Sequence, residues 1–551
     1  MGPIMPHEVN RPVHLAAMRE HRGVTRRYAL AGLVAGLSGI AAAYALTMLL
    51  SLRATPIQGV AEAIIEHTPG HVAESLIGLV GQWDKPLLVA GVTLGILGVS
   101  ALAGVLARRN RLAAQLVLVA MGVVGYLGMR TRPSFSSYDL IPLLVGTGAW
   151  LIVLGYLADQ AARTERAQHA DSAQGAARAD PAGPQPTARP SAATDHTAQE
   201  SRRGFLLRAG VLAGASLVIA AGGQLAGQAR SGVESARRLL RLPVSRGRVP
   251  AGAALDLTGL PPWRTPNDAF YRIDTALVVP SVDPTEWRLR IHGMVDRELH
   301  LTYRDLVERQ LTEDWVTLCC VSNPVGGDLV GNAFWSGVRV ADLLTEAGVQ
   351  PGADAVLQTS TDDWTCGTPL AALTDDRNAM LAVAMNGEPL PVEHGFPVRM
   401  VVPGLYGYVS ATKWLVDLEV TRFADISAYW TQRGWSPRGP IKTQSRIDVP
   451  RSGANLAPGP RRIGGTAWAQ HTGIAQVEYR LDGQPWQRAT LGRVPDVDTW
   501  VQWAGEVDLP PGEHTLTVRA TDESGYTQTS VHRDVVPDGA TGWHTITVTA
   551  G

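Results

Sequence analysis

Long apolar runs crowd the first 160 residues of the chain, and past residue 250 they give way to short alternating stretches punctuated by Gly and Pro. Four runs, 28–52, 86–107, 112–129 and 140–158, are each long enough to cross a hydrocarbon layer of about 30 Å, which takes about 20 helical residues. None carries an ionisable residue in its middle, so the block 1–158 reads as a four-span membrane domain that anchors rather than relays ions or protons. Arg19, Arg22, Arg26 and Arg27 precede the first span, and Arg108, Arg109 and Arg111 separate the second from the third. Both ends of the block are therefore predicted to face the cytoplasm. In the outer loop 53–85, Val60, Ile64 and Ile65, then Val72, Leu76, Leu79 and Val80, are spaced for short amphipathic helices lying on the membrane surface.

Residues 159–200 change character to Ala, Gln, Asp, Pro, Thr and Arg, a composition that buries no core and predicts a disordered cytoplasmic linker. Then comes SRRGFLLRAGVLAGASLVIAAGGQLAG, Ser201 to Gly227, with Ser201, Arg202, Arg203, Phe205 and Leu206 in the pattern of a twin-arginine export signal. The alternative is that Arg202 and Arg203 only anchor a fifth span. Twin-arginine export carries folded proteins, so such a signal implies a domain that takes its cofactor in the cytoplasm and works outside. The segment 201–227 is expected to stay as a fifth transmembrane helix, followed by a juxtamembrane stretch 228–250 containing Arg237, Arg238 and Arg241.

Beyond residue 250 the pattern is that of an α+β domain over 251–440. Strand-like runs fall at 287–292, 338–344, 398–402 and 414–420, and helical faces at 301–310 and, overlapping the second run, 339–347. After about 440 every run reads as strand: 462–468, 474–482, 501–509 and 513–521, with Asp482-Gly483 as a hairpin turn. A β-sandwich of immunoglobulin-like type over 441–551 fits, with no cysteine pair to tie its sheets. The formal charge of −1 offers no basic field for nucleic acid. Only three cysteines occur, Cys319, Cys320 and Cys366, without the spacing of a zinc site.

Several segments together carry a family resemblance: AFYRIDTALVVP (269–280), WRLRIHGMV (287–295), TLCCVSNPVGGDLVGNAFWSGVRVADLL (317–344), NGEPLPVEHGFPVRMVVPGLYGYVSATKWL (386–415) and PIKTQSRI (440–447). The stretch 269–450 resembles the molybdopterin domain of the sulfite oxidase family, and 440–551 is similar to its C-terminal dimerisation domain. The resemblance implies a molybdenum-molybdopterin cofactor, with or without a nucleotide on the pterin. Its metal ligand would be the thiolate of Cys320, in Cys-Val-Ser-Asn, a soft donor suited to such a centre. Cys319 is one residue too early and reads as a small buried neighbour, and Cys366 as packing. The pterin's anionic end would lie among His394, Arg399 and Lys413, with Asn323 and Ser410 as weaker hydrogen-bonding candidates.

The substrate side departs from sulfite oxidases. Arg272 and Trp335 match the family's arginine and tryptophan, but Val325 stands where a second arginine is expected, and Ala469 to Gly473 lacks the third. The family's tyrosine falls near Trp435, with Trp430 and His471 close by in the same reading. Each charge-assisted contact is worth roughly 1.5–3 kcal/mol, so losing two weakens a dianion site severely. The expected reaction is oxygen-atom transfer to or from a small substrate, an S- or N-oxide ahead of sulfite, coupled to two-electron cycling of the metal. A sulfite dehydrogenase-type enzyme, and a receptor-like membrane protein with no catalysis, remain as alternatives. No C-x-x-C-H, no ferredoxin-like cysteine spacing and no histidine in a span offers an electron carrier, so an external cytochrome or quinone-linked protein is expected. His67 and His71 stand at helical spacing in the outer loop, where solvated surface is the plainer reading. The dimerisation-like domain implies a homodimer.

Overall fold

The structure is a computed structural model that describes residues 11–50, 52, 55–68, 84–130, 137–177, 204, 206–217, 229–276 and 279–551. It divides into two units, Met1–Ala229 and Arg230–Gly551. The segment with Ser201, Arg202, Arg203 and Phe205, the second amphipathic stretch of the outer loop and His71 lie outside the described residues.

The first unit is helical: α1 Arg11–Leu49, α2 Pro56–His67, α3 Asp84–Ala107, α4 Arg111–Arg130, α5 Leu140–Ala177 and α6 Leu206–Leu217. Among the described residues, four helices are long and apolar enough to cross a membrane. Helix α2 is set by a capping box in which Thr55 and Gln58 cap each other's backbone, with Pro56 opening the first turn. Close packing relies on small residues. A Cβ at Gly104 would strike the Tyr28 carbonyl, and Trp150 lies against Gly39 while its Nε1 donates to Gly36 O at 3.0 Å. Leu94, Leu102, Leu144 and Ile152 point outward, as lipid-facing side chains do.

Helix α5 corrects one boundary. It runs to Ala177, so 159–177 of the expected disordered linker is helical. The physical reason is that Ala, Gln, Arg and Glu are strong helix formers. In addition Ala161 is buried, and Asp159 and Glu165 pair with Arg111 and Arg108 across the unit. Helix α6 has 12 described residues, shorter than a span, and its continuation lies outside the described residues.

The second unit begins with α7 Ala229–Leu239 and holds four sheets. One is mixed, in the order β2 Leu299–Thr302, β1 Arg288–Gly293, β10 Leu415–Thr421, β5 Ala355–Ser360, β6 Thr365–Pro369; only β1 and β10 run parallel. A second, antiparallel, joins β3 Thr312–Cys319, β4 Val330–Arg339, β7 Met380–Met385 and β8 Glu388–Pro389, and β9 Arg399–Val401 pairs with β7. Helices α8 Tyr303–Val307, α9 Val340–Ala347 and α10 Ala371–Thr374 are short. The last two sheets are β11 Gln444–Val449, β13 Gly459–Trp468, β17 Val501–Leu509 and β16 Thr490–Leu491, and β12 Asn455–Leu456, β19 His544–Ala550, β18 Gly512–Asp522, β14 Ile474–Leu481 and β15 Gln487–Arg488. Ile463, Trp503 and Val507 of the former pack with Val477, Leu516 and Val548 of the latter, which makes a β-sandwich core. Asp482 and Gly483 both have positive φ, 47° and 71°, the turn expected of that dipeptide. The sandwich is tied to the preceding domain by Trp263 and Trp500, each donating its indole N–H to the other's carbonyl, at 3.2 and 2.8 Å.

Candidate active site

The loop between β3 and β4, residues 320–329, is closed by its own hydrogen bonds. Cys320 N donates to Leu329 O at 2.9 Å, and Leu329 N donates to the Asn323 Oδ1 at 2.9 Å. Cys320 therefore leaves the end of a buried strand at a fixed point. Its side chain is buried and its Sγ lies 2.9 Å from Ser322 Oγ. Burial raises the thiol's pKa, while Ser322 and the Lys413 ammonium pull it back down. A nearby cation stabilises the thiolate form that a metal ligand needs. Cys319 is also buried, with a pKa pushed well above the usual range by burial and by Cys320, and its Sγ donates to Cys320 O. It stays a thiol. Cys366 packs against Thr412 with its pKa pushed up to about 12 by burial.

His394, Arg399 and Lys413 come together because the chain passes through Gly395. Its φ is 109°, and a Cβ there would stand 3.0 Å from the Arg399 Cβ and 3.1 Å from Lys413 Cα. Gly395→Ala is therefore expected to cost about 1–3 kcal/mol and to lower the molybdenum retained per chain; thermal unfolding with elemental analysis checks both, and an unchanged protein contradicts it. Arg399 is buried, holds only carbonyl partners (His394 O at 3.2 Å, Ala411 O at 3.4 Å), and lies 5.1 Å above the Trp335 ring. Burial lowers its pKa to about 10, and among the described residues it has no carboxylate within ion-pair distance. Lys413 pairs with Asp274 at 3.1 Å; burial takes its pKa down to about 8 and Asp274 partly restores it. Arg272 donates to the same carboxylate at 3.0 Å, so the structure joins it to this cation cluster.

His394 Nε2 sits 3.0 Å from Asn267 O, an acceptor, which assigns the proton to Nε2 and leaves Nδ1 as a bare lone pair. That Nδ1 is buried without a partner, as is Nδ2 of Asn323. Burial first, then Lys413 and Arg399, push the ring's pKa down to about 3. The unfolded chain takes up this proton near 6.5, so the neutral ring's contribution to stability is complete above about 6.5 and is lost as pH falls toward about 3. Asp496 and Asp498, raised to about 7 mainly by burial, act with the opposite sign. The difference between wild type and His394→Gln isolates the ring. Wild type is expected to gain on the variant by roughly 1 kcal/mol per pH unit from about pH 3 to 6.5, read by denaturant unfolding; a flat difference contradicts it.

Three expected site residues are placed differently. Trp335 lies on β4, buried on both faces, is fully covered, and donates its indole N–H to Val316 O at 3.1 Å. It floors Arg399 rather than walling a substrate. Ser410 spends its hydroxyl proton on Leu405 O and Tyr406 O, so it ties its own loop. Trp435 packs against Tyr408 and Trp430, with ring centroids at 5.7 and 6.2 Å, and backs that loop. His471 faces Asp498, with its Nδ1 3.6 Å away, and lies near Asp375 and Asp376.

Two further residues of the family-like segments stand beside this loop, Tyr271 and Arg446. Tyr271, next to Arg272, is half-buried, and desolvation of its phenol raises its pKa well above the usual range, which keeps it neutral. A Cβ at Gly407 would meet its hydroxyl at 4.0 Å and Cys319 O at 3.9 Å, so the phenol reaches the cysteine end of β3. Arg446 reaches from β11 to donate to Gly327 O at 2.6 Å and pairs with Asp448.

The donor set fits a bound anionic cofactor: a soft thiol, a buried guanidinium without a counter-ion, and two orphaned polar atoms. Comparison with known proteins agrees. Residues 276–430 match the family model described as oxidoreductase molybdopterin binding domain. The chain is 34% identical over 180 residues to "Uncharacterized oxidoreductase YuiH" of Bacillus subtilis (strain 168), covering 33% of this chain and 87% of that one. It is 32% identical over 311 residues to mitochondrial sulfite oxidase of Homo sapiens, covering 48% of this chain and 56% of that protein. It thus spans about half the length of that relative. A solved structure of the sulfane dehydrogenase SoxCD from Paracoccus pantotrophus is 25% identical with a TM-score of 0.46, covering 51% of this chain and 80% of that chain. The chain belongs to the sulfite oxidase family of molybdopterin-binding oxidoreductases. It is a molybdenum cofactor-dependent oxidoreductase.

Proposed function

We propose that the chain is a membrane-anchored enzyme whose catalytic unit works outside the cytoplasm, moving an oxygen atom to or from a small S- or N-oxide-type substrate. The carrying observation is the convergence of the Cys320 thiol, the uncompensated Arg399 guanidinium and Lys413 around one site. Molybdenum on its pterin, when bound, supplies two-electron oxygen-atom-transfer chemistry. Cys320 would provide the thiolate ligand, and Arg399 and Lys413 would neutralise the pterin's anionic end. The bare Nδ1 of neutral His394 would be free to accept a hydrogen bond from the cofactor, and Asn323 Nδ2 to donate one. The neutral Tyr271 hydroxyl donates to the substrate oxygen, with Arg272 at the edge of the cation cluster.

The preference over sulfite rests on charge. Val325 is packed against the apolar core, and Arg446 is spent on Gly327 O and Asp448, so neither offers a dianion a free cation. The twin-arginine-like segment at Ser201, Arg202 and Arg203 supports export after the cofactor is loaded. Electrons enter from an external cytochrome or quinone-linked protein when an S- or N-oxide is reduced and leave to it in the reverse direction, because the sequence contains no haem-attachment or ferredoxin-like cysteine pattern. The sandwich of immunoglobulin-like type serves a homodimer. The purified full chain, assayed with artificial electron carriers, is expected to reduce methionine sulfoxide with a higher kcat/KM than it oxidises sulfite. Faster sulfite turnover overturns the substrate reading and returns the chain to the activity named for its human relative.

A further inference from the structure

In the first unit a cavity of about 510 Å³ opens between α1, the α3–α4 connection and α5. Tyr28, Arg108, Arg111, Glu165, Arg166 and His169 line it. Its walls are organised. Arg108 donates to Glu165 Oε1 from Nε at 3.2 Å and from its terminal nitrogen at 2.8 Å, the Tyr28 hydroxyl donates to the other oxygen at 3.4 Å, and Arg111 pairs with Asp159. Residues 107–111 and 159–169 carry five arginines against two carboxylates, so positive charge remains after the pairs are made. Arg166 is exposed and has no ion-pair partner among the described residues. The volume lies within the range of about 300–1,000 Å³ that holds small organic ligands.

The position within the unit identifies the ligand's chemistry. Ala107 is the last residue of α3 and Arg111 the first of α4, so the cavity stands where apolar helix gives way to charge, the depth of lipid headgroups. Leu112 and Leu116, on the first two turns of α4, are 65% and 58% exposed and offer an apolar track beside the arginines. We propose that this cavity binds the phosphate headgroup of an anionic phospholipid. An arginine cluster that only set topology would need no cavity and no ion-paired wall, whereas basic pockets between spanning helices suit phosphate headgroups. A soluble phosphate compound shares the chemistry at the arginines but makes no use of the exposed leucines.

The inference rests on the unit's being embedded in the membrane, so the test begins with a carbonate wash of membranes holding the full chain. Retention in the pellet is expected; release overturns the proposal by removing the membrane itself. Detergent-solubilised full chain is then titrated with phosphatidylglycerol, phosphatidylcholine or glycerol 3-phosphate and read by native mass spectrometry. Saturable phosphatidylglycerol binding, stronger than phosphatidylcholine and not displaced by equal glycerol 3-phosphate, is expected. Arg111→Gln together with Arg166→Gln should weaken it by about fivefold for each arginine removed. Arg166→Gln alone breaks no ion pair among the described residues and guards against a misfolded double variant. Equal binding of both lipids, unchanged binding by the variants, or full competition by glycerol 3-phosphate overturns the proposal, the last by assigning the cavity to a soluble phosphate.

Discussion

Cys320→Ser is expected to lower turnover by on the order of a thousandfold or more while the chain still folds. Cys320 sits at the end of β3 with its backbone N–H held by Leu329 O, and a serine there keeps that bond and the side-chain volume. What changes is softness and acidity. A buried alcohol does not ionise beside Lys413 as a thiol can, and a hard oxygen donor is a poor match for a centre already bound by dithiolene sulfur. Cys319→Ser is the control one residue away. Its side chain donates to Cys320 O and its thiol is held neutral, so turnover within a few-fold of wild type is expected. Steady-state assays of both variants decide the matter, and equal losses would move the ligand off Cys320.

Arg399→Met separates the cofactor's demands from those of the fold. The guanidinium is buried with only carbonyl partners from the chain, so its removal relieves a desolvation cost and leaves those carbonyls short of a donor. The two effects oppose, and stability without cofactor should shift by less than about 2 kcal/mol. Cofactor retention should fall far more, by about 10- to 150-fold for a lost charge-assisted contact. Molybdenum and pterin content after gel filtration, beside unfolding of the cofactor-free protein, gives both numbers. Equal loss of cofactor and stability would make Arg399 a structural residue.

The membrane spans were legible because lipid demands an unbroken apolar run, and the observed helices begin and end within a few residues of two of the four runs, 86–107 and 112–129. The extension of α5 was not, since the Arg108–Glu165 pair that fastens it joins residues 57 apart. At the site, Cys320, His394, Arg399 and Lys413 were readable as residue types in ordered motifs. Trp335 and Ser410 are placed differently from expectation for one reason: a motif gives position along a strand or loop but not which partner has already taken a donor. Trp335 gives its N–H to Val316, and Ser410 its proton to Leu405 and Tyr406. Tyr271 carries no charge to mark it beside Arg272, and only the fold brings its hydroxyl toward the cysteine end of β3.

The tie between Cys320 and the metal is tested most directly by molybdenum X-ray absorption on the purified full chain, wild type beside Cys320→Ser. The expected result is a sulfur shell with one scatterer fewer in the variant at comparable molybdenum content. An identical sulfur shell in the two proteins would show that Cys320 does not bind the metal and would contradict the account.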